Sequence, residues 1–169
     1  PDNTTVKFIV DCGLFQERKY SKNNESLPFI PANIDFCLVT HNHVDHVGRL
    51  PFLVSKVFDK EIFISETTSK LLPLALEDSH KVLRDVAKRQ NRPCLYTESD
   101  VAQTMKLIRP CKYNQTVQIR PNIKATFFQN GHLMGATSIL VQIGYPGYEN
   151  INLFFTGDYN NKNMFFDVP

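Results

Sequence analysis

The sequence lacks several features that would assign it to a class directly. No apolar run approaches the ~20 residues that a membrane-spanning helix needs, so no membrane association is expected. The polar residues 1–5 lack the charged and then apolar order of a signal peptide. The 19 lysines and arginines nearly balance the 17 aspartates and glutamates. This balance excludes a basic surface over the whole domain, although a local basic groove remains compatible with it.

Closely spaced cysteines are also absent. No two of the four cysteines lie within four residues of each other, which excludes a zinc ribbon and a redox C-x-x-C motif. We expect buried free thiols, and these are typical of a reducing compartment, so the predicted location is the cytoplasm. The cysteines are Cys12, Cys37, Cys94 and Cys111.

The order of hydrophobic patterns predicts an α/β or α+β domain with packed sheets, strands first, helices in the middle and strands last. A chain of 169 residues without a visible linker is expected to form one domain over residues 1–169. Strands are predicted at residues 6–10, 34–40, 61–65, 116–119, 124–128, 138–143 and 151–155. Helices are predicted at residues 47–58, from near residue 69 with Thr67 or Thr68 as cap, and from the capping residues Thr97 and Asp100 to about residue 108.

The most specific motif is H-x-H-x-D-H at residues 41–46, which contains three of the five histidines. His41 and His43 follow a predicted strand two positions apart, so they point the same way. Asp45 and His46 are adjacent where a helix begins, so they diverge and can serve a second ion. Imidazole and carboxylate suit Zn²⁺, and also Mn²⁺ or Fe²⁺. A polar loop of hydrogen-bonded histidines is the alternative, but such a loop need not concentrate three of them.

Other candidate residues also follow predicted strands. His132 and Asp158 each come after a glycine at a strand end, and both are predicted metal ligands. Asp11 is predicted to accept the second N–H of a ligating imidazole, with a turn-forming role as the alternative. His80 is interpreted as part of a solvated helix face, with a place at the rim of the site as the alternative. Lys112, Tyr113, Arg120 and Lys124 are interpreted as solvated surface rather than RNA contacts.

These residues resemble the metallo-β-lactamase superfamily, whose signature is H-x-H-x-D-H followed by a distant His and a distant Asp. The match extends to the β-CASP nucleases. Residues 11–16 (D-C-G-L-F-Q) resemble their opening block, and residues 41–51 match H-x-H-x-D-H-x-G-x-L-P, the form of the RNA-processing branch. Further blocks come in the family's order at residues 76–79, 131–136 and 155–159.

The resemblance implies an αββα sandwich with the site at one edge of the sheets. It implies one zinc ion on His41, His43 and His132, and a second on Asp45 and His46. Asp158 would bridge both ions, and Asp11 would lie behind the ligands; Asp45, Asp158 and Asp11 are the expected catalytic residues. Two zinc ions, with manganese as an alternative, would hold a bridging hydroxide that hydrolyses phosphodiesters of single-stranded RNA.

The resemblance also implies that the sandwich is incomplete and truncated at both ends. A β-CASP domain of the same chain and a further zinc-binding histidine are expected beyond residue 169. The chain alone is therefore expected to be weak or inactive as a nuclease. Three alternatives remain open: a DNA nuclease of the same fold, a small-substrate metallohydrolase, and a non-catalytic module of RNA processing.

Overall fold

Two four-stranded sheets form the framework of the computed structural model, which describes residues 5–162. The first sheet is parallel, with strands in the spatial order β1-β2-β3-β4. The second is an antiparallel meander, β5-β6-β7-β8. The strands are β1 (Phe8–Val10), β2 (Phe36–Val39), β3 (Ile62–Ser65), β4 (Ile108–Cys111), β5 (Thr116–Arg120), β6 (Ile123–Gln129), β7 (Thr137–Ile143) and β8 (Ile151–Phe155).

Helices connect the parallel strands. They are α1 (Val44–Val47) and α2 (Leu50–Ser55) between β2 and β3, and α3 (Glu66–Arg89) and α4 (Glu98–Leu107) between β3 and β4. Between β1 and β2, the chain makes a long excursion with 3₁₀ turns at Arg18–Glu25 and Pro31–Asn33. Within residues 5–162, no helix combines the length and the apolar character needed to cross a membrane.

Two hydrophobic cores lie on opposite faces of β2, which is buried along its whole length. Cys37 and Val39 face the helices, in a core that includes Leu50, Leu72 and Leu76. Phe36 and Leu38 face the second sheet and pack in a core with Phe127, Ile139 and Val141. The alternation of side chains along a strand therefore makes one sheet the shared layer between helices and the second sheet. The prediction of an α/β fold with packed sheets is confirmed, and three layers of the expected αββα sandwich lie within the described residues.

A helix forms within the predicted range of residues 47–58, but it covers only Leu50–Ser55 and is separated from the short helix α1, which ends at Val47. The interruption is at Arg49, whose backbone N–H donates to the carbonyl of Cys12 at 2.8 Å. The Arg49 side chain also donates to the carbonyl of Gly13, at 2.6 Å. Contacts with the chain after β1 therefore compete with a continuous helix.

The next helix begins earlier than predicted, and its cap is Ser65 rather than Thr67 or Thr68. The Ser65 hydroxyl accepts the backbone N–H of Thr68 at 3.1 Å. The helix continues through Pro73, so this proline does not mark its first turn. By contrast, the predicted capping box of Thr97 and Asp100 is confirmed in α4.

Strand β4 was not predicted, because Pro110 suggested only the end of a helix. Proline is tolerated on an edge strand, and β4 lies at the edge of the parallel sheet. The interpretation of His80 as solvated is wrong, since it is buried and stacked on Tyr96 with ring centroids 5.8 Å apart. Arg120 also differs from expectation: it is half-buried and forms an ion pair with Glu61 at 3.3 Å.

Candidate metal centre

Ligand-type side chains converge at one edge of the two sheets. His41 and His43 follow β2, His132 follows β6, and Asp158 follows β8. Nδ1 of His43 lies 3.1 Å from Nε2 of His41 and 3.1 Å from Nε2 of His132. Each of the four residues offers one ligand atom, and these atoms all lie within 4.8 Å of one another. These four residues, which we call the first group, have the arrangement needed to hold a metal ion.

A second set of side chains adjoins the first group through Asp158. Oδ2 of Asp158 lies 3.8 Å from His41 Nε2 and 3.5 Å from His132 Nε2. Its other oxygen, Oδ1, lies 3.4 Å from Nε2 of His46. Asp45 is exposed and stands outside the first group. The carboxylate of Asp158 thus presents one oxygen to His41 and His132 and the other to His46.

Asp11 and Thr40 lie behind the ligand atoms and hold two of the rings. Oδ2 of Asp11 lies 2.7 Å from Nδ1 of His46 and accepts the Thr40 hydroxyl at 2.8 Å. The same hydroxyl oxygen lies 3.0 Å from Nδ1 of His41. Because the hydroxyl proton goes to Asp11, Thr40 Oγ1 can accept a proton from His41. This network favours the tautomers in which His41 and His46 keep Nε2 free for a metal.

The pKa values of His41 and His43 match a role as metal ligands. Burial, reinforced by the neighbouring His46, His43 and His132, lowers the pKa of His41 to about 3. Burial and the adjacent His132 also lower the pKa of His43. Both rings are therefore neutral near pH 7, as metal binding requires. Three imidazoles and a carboxylate form a donor set typical of zinc.

The pKa of His46 shifts in the opposite direction to the pKa values of His41 and His43. Burial lowers its pKa, but the hydrogen bond to Asp11 and the charges of Asp11, Asp158 and Asp45 outweigh burial, so the net shift is upward. Asp45 also raises the pKa of His43, against the dominant effect of burial. Asp45 therefore acts on both histidines through its charge from the rim of the site.

Close backbone approaches fix the loops that carry these side chains. A Cβ atom on Gly13 would lie 1.6 Å from the carbonyl oxygen of Asp45, so only glycine fits there. Gly157 has a φ of +57°, and a Cβ on it would lie 2.8 Å from Cβ of Thr40. Asp11 itself has a φ of 62°, a conformation that aspartate tolerates better than most residues. The left-handed backbone at Asp11 turns its carboxylate toward Thr40 and His46.

Sequence reasoning missed two residues that organise the site. Thr40 is buried, and its carbonyl accepts the backbone N–H of Thr137 at 2.9 Å and the Thr137 hydroxyl at 3.0 Å. It thereby links β2 to the sheet that carries His132 and Asp158. Arg49 is the second such residue: it lies within the predicted helix over residues 47–58, and its charged side chain gave no signal of burial. A threonine next to a metal-binding histidine is the only hint that the sequence offers for Thr40.

Two clefts reach the site from either side of His46. One has a volume of about 570 Å³ and is bounded by the chain after β1, with Asp45 and His46 on its wall. The other, of about 680 Å³, runs between the edges of the sheets and includes Thr40 and Asp158. Asp11 and His46 line both clefts. A substrate in either cleft would therefore lie next to the candidate ligands.

The chain is similar to two curated proteins named as ribonucleases and to a curated transcription termination factor. It is 29% identical to Ribonuclease TTHA0252 of Thermus thermophilus over 156 residues, covering 92% of this chain and 33% of the relative. It is 32% identical to Endoribonuclease ysh1 of Aspergillus fumigatus, covering 81% of this chain and 16% of the relative. It is 30% identical to Transcription termination factor FttA of Methanocaldococcus jannaschii, covering 90% of this chain and 23% of the relative. The chain thus spans a third or less of the length of these relatives.

Solved structures with a similar fold are metallo-β-lactamases. The Rm3 enzyme matches with a TM-score of 0.52 and 18% identity, covering 92% of this chain and 54% of that chain. The subclass B3 enzyme BJP-1 of Bradyrhizobium japonicum matches with a TM-score of 0.50 and 22% identity. This match covers 88% of this chain and 51% of the BJP-1 chain. At these identities the likeness concerns the fold alone.

A family model covers almost the whole chain. The model described as a metallo-beta-lactamase superfamily domain matches residues 2–163, a range that includes all the candidate ligands. The predicted resemblance to RNA-processing nucleases is confirmed by the relatives, which include ribonucleases by name. Given the layered sheets, the clustered histidines and this match, the chain belongs to the metallo-β-lactamase superfamily.

Proposed function

We propose that this chain is the metal-binding part of a zinc-dependent ribonuclease that hydrolyses phosphodiester bonds of single-stranded RNA. The observation that carries the proposal is the position of Asp158, whose Oδ2 lies near His41 and His132 and whose Oδ1 lies near His46. A carboxylate between two sets of imidazoles suits two metal ions held a few ångströms apart. RNA is favoured as substrate because curated relatives bear the names ribonuclease and endoribonuclease.

The proposed roles divide the site residues between two ions. His41, His43 and His132 would hold one zinc ion, Asp45 and His46 the other, and Asp158 both. When bound, the two zinc ions supply a hydroxide nucleophile near neutral pH and neutralise charge on the phosphoryl oxygens.

The chain's own residues keep the ligands in position. Asp11 accepts the Nδ1 proton of His46, and Thr40 accepts that of His41, so both rings are held with Nε2 toward the site. Burial of His41 keeps its ring neutral and therefore ready to bind. The open clefts on both sides of His46 leave the site accessible to an extended strand.

We further propose that the whole protein completes this site with a β-CASP domain and one more histidine, because the relatives are at least three times longer than the matched region. The chain alone is then a weak or inactive nuclease. A cytoplasmic location fits the four free cysteines.

The test combines metal content with cleavage. The purified chain, reconstituted with zinc, is analysed for zinc per chain beside the double variant His41→Ala, His43→Ala. We expect about one or two zinc ions per wild-type chain and loss of metal in the variant. His80→Gln is the matched control, because it removes the remaining histidine outside the site and should leave the metal content unchanged.

Cleavage is then measured on matched single-stranded RNA and DNA, with the whole protein and with the chain alone. We expect the whole protein to cut RNA faster than DNA, and EDTA to abolish cleavage. Folded wild-type chain without bound zinc would contradict the metal centre. Equal or faster cleavage of DNA would contradict the assignment of RNA, and full turnover by the chain alone would contradict the need for a further domain.

A further inference from the structure

An exposed aromatic side chain lies beside the candidate metal centre. Phe15 lines the cleft that also contains Asp45 and His46, and this phenylalanine is 43% exposed. A phenylalanine ring ordinarily loses contact with water on folding, because its burial contributes favourably to stability. The exposed ring of Phe15 therefore offers an apolar, flat face to a ligand in this cleft.

The Phe15 backbone is held rigidly in this exposed position. Its N–H donates to Oδ1 of Asn24 at 2.8 Å, and its carbonyl accepts from Nδ2 of Asn24 at 3.0 Å. The amide of Asn24 thus pairs with the backbone of Phe15 as a neighbouring strand would. These two hydrogen bonds anchor the backbone that carries the ring, which reduces the entropic cost of binding to it.

Arg49 supports the ring. Its guanidinium carbon lies 5.0 Å from the centroid of Phe15, a cation–π contact. Arg49 is buried, and it donates to the carbonyls of Gly13, Asn23 and Ser26 at 2.6, 2.9 and 3.1 Å. Its hydrogen bonds are therefore committed to the backbone, so Arg49 serves to hold the loop and the ring rather than a phosphate.

The surroundings of Phe15 suit a nucleic-acid strand. Tyr20 is 44% exposed, lines the same cleft, and has its ring centroid 6.3 Å from that of Phe15. Arg18 and Lys22 are exposed on the same 3₁₀ segment and form no ion pair within the described residues. Aromatic rings beside unpaired cations are the combination by which proteins bind single strands, with bases stacked and phosphates neutralised.

We propose that this cleft is a nucleobase subsite, in which a base of single-stranded RNA stacks on Phe15 next to the metal centre. The inference rests on the proposed function and names the surface that would hold the substrate there. A volume of about 570 Å³ lies within the range of small-molecule pockets and accommodates a nucleoside. Asp45 and His46 line the same cleft, so a nucleoside stacked on Phe15 would lie close to the candidate ligands.

The first test uses fluorescence, because the sequence contains no tryptophan. In the variant Phe15→Trp, a single indole reports stacking in the cleft. A decamer of uridine is titrated into the zinc-loaded chain, and we expect saturable quenching of the indole. The matched control is Tyr148→Trp, at an 82% exposed position in the turn between β7 and β8, where no quenching is expected.

The second test measures binding of the same decamer to Phe15→Leu and Phe15→Tyr. Leucine keeps an apolar side chain but removes the flat face, so we expect about tenfold weaker binding, in the range measured for one stacked base. Tyrosine keeps the ring and should bind like the wild type. Equal zinc content and circular dichroism in all variants show that each has folded.

The outcomes separate the two proposals. Equal binding by the wild type and Phe15→Leu, or an unquenched indole at position 15 while the decamer binds, overturns the subsite and leaves the ribonuclease proposal intact. Failure of the zinc-loaded wild type to bind the decamer at all overturns the subsite, whereas the RNA proposal is decided by cleavage of RNA and DNA with the whole protein. Quenching in Phe15→Trp together with weak binding by Phe15→Leu supports the subsite.

Discussion

Replacing Thr40 with valine tests whether a buried hydroxyl orients the ligands of the metal centre. The two side chains have nearly the same shape, so Thr40→Val removes the hydroxyl with little change in packing. The hydroxyl donates to Asp11 at 2.8 Å and lies 3.0 Å from Nδ1 of His41. Both contacts are lost in the variant, while the backbone N–H of Thr40 still donates to Asp11, at 2.8 Å.

The expected losses of stability and of zinc affinity depend on the nature of these two contacts. A hydrogen bond to a charged acceptor contributes about 1.5–3 kcal/mol, and a buried donor left without an acceptor costs about 1–3 kcal/mol. We therefore expect the free energy of unfolding of the metal-free protein to fall by about 3 kcal/mol. Loss of a group that orients a ligating histidine weakens metal binding about 10- to 100-fold, and we expect zinc affinity to fall within this range.

The assay is urea unfolding of the metal-free protein, followed by zinc titration against a chelator of known affinity. Thr40→Ser is the matched control, since it keeps the hydroxyl and loses one methyl group, at a cost of about 0.8 kcal/mol. We expect serine to retain the zinc affinity of the wild type. Wild-type zinc affinity in Thr40→Val would refute the reasoning, and equal losses in the serine and valine variants would show that the methyl group matters instead.

Three further predictions concern a glycine beside the site, the candidate ligand Asp158 and the four cysteine thiols. Gly13→Ala places a Cβ 1.6 Å from the carbonyl oxygen of Asp45, so urea unfolding should show a loss of about 3 kcal/mol. Gly147→Ala is its control, because nothing lies within 4 Å of that position and only the positive φ costs about 1 kcal/mol. Asp158→Asn removes the charge that faces both histidine sets, and elemental analysis should find less zinc per chain, with affinity at least about tenfold lower. Ellman's reagent at pH 8 should modify about one thiol in the native chain, the half-buried Cys94, and all four in urea; modification of more than one native thiol would contradict this. Burial raises the pKa of the others, to about 11 for Cys12 and Cys111 and well above the usual value for Cys37.

The features that could be predicted from the sequence arise from local patterns. The strand before His41 is a continuous apolar run, the capping box at Thr97 lies within four residues, and the spacing of H-x-H-x-D-H is itself local. The distant residues His132 and Asp158 were predicted because each comes directly after a strand, and the structure brings both to the group that contains His41.

The features that could not be predicted depend on contacts between distant segments. The helix break at Arg49 comes from the chain after β1, and the burial of His80 comes from Tyr96. Strand β4 forms despite Pro110 because a partner strand is available on one side. The exposed ring of Phe15 was missed for the same reason, since only the folded loop shows that Asn24 and Arg49 hold it in place.

The position of the candidate ligands across both sheets has a consequence for folding. His41 and His43 extend from the parallel sheet, whereas His132 and Asp158 extend from the antiparallel sheet. An ion bound by all four would cross-link distant segments of the described chain, and closing so long a loop removes much entropy from the unfolded state. Metal loading and the docking of the two sheets would then be one cooperative event, in which chelation loosens the whole interface between the sheets rather than the site alone.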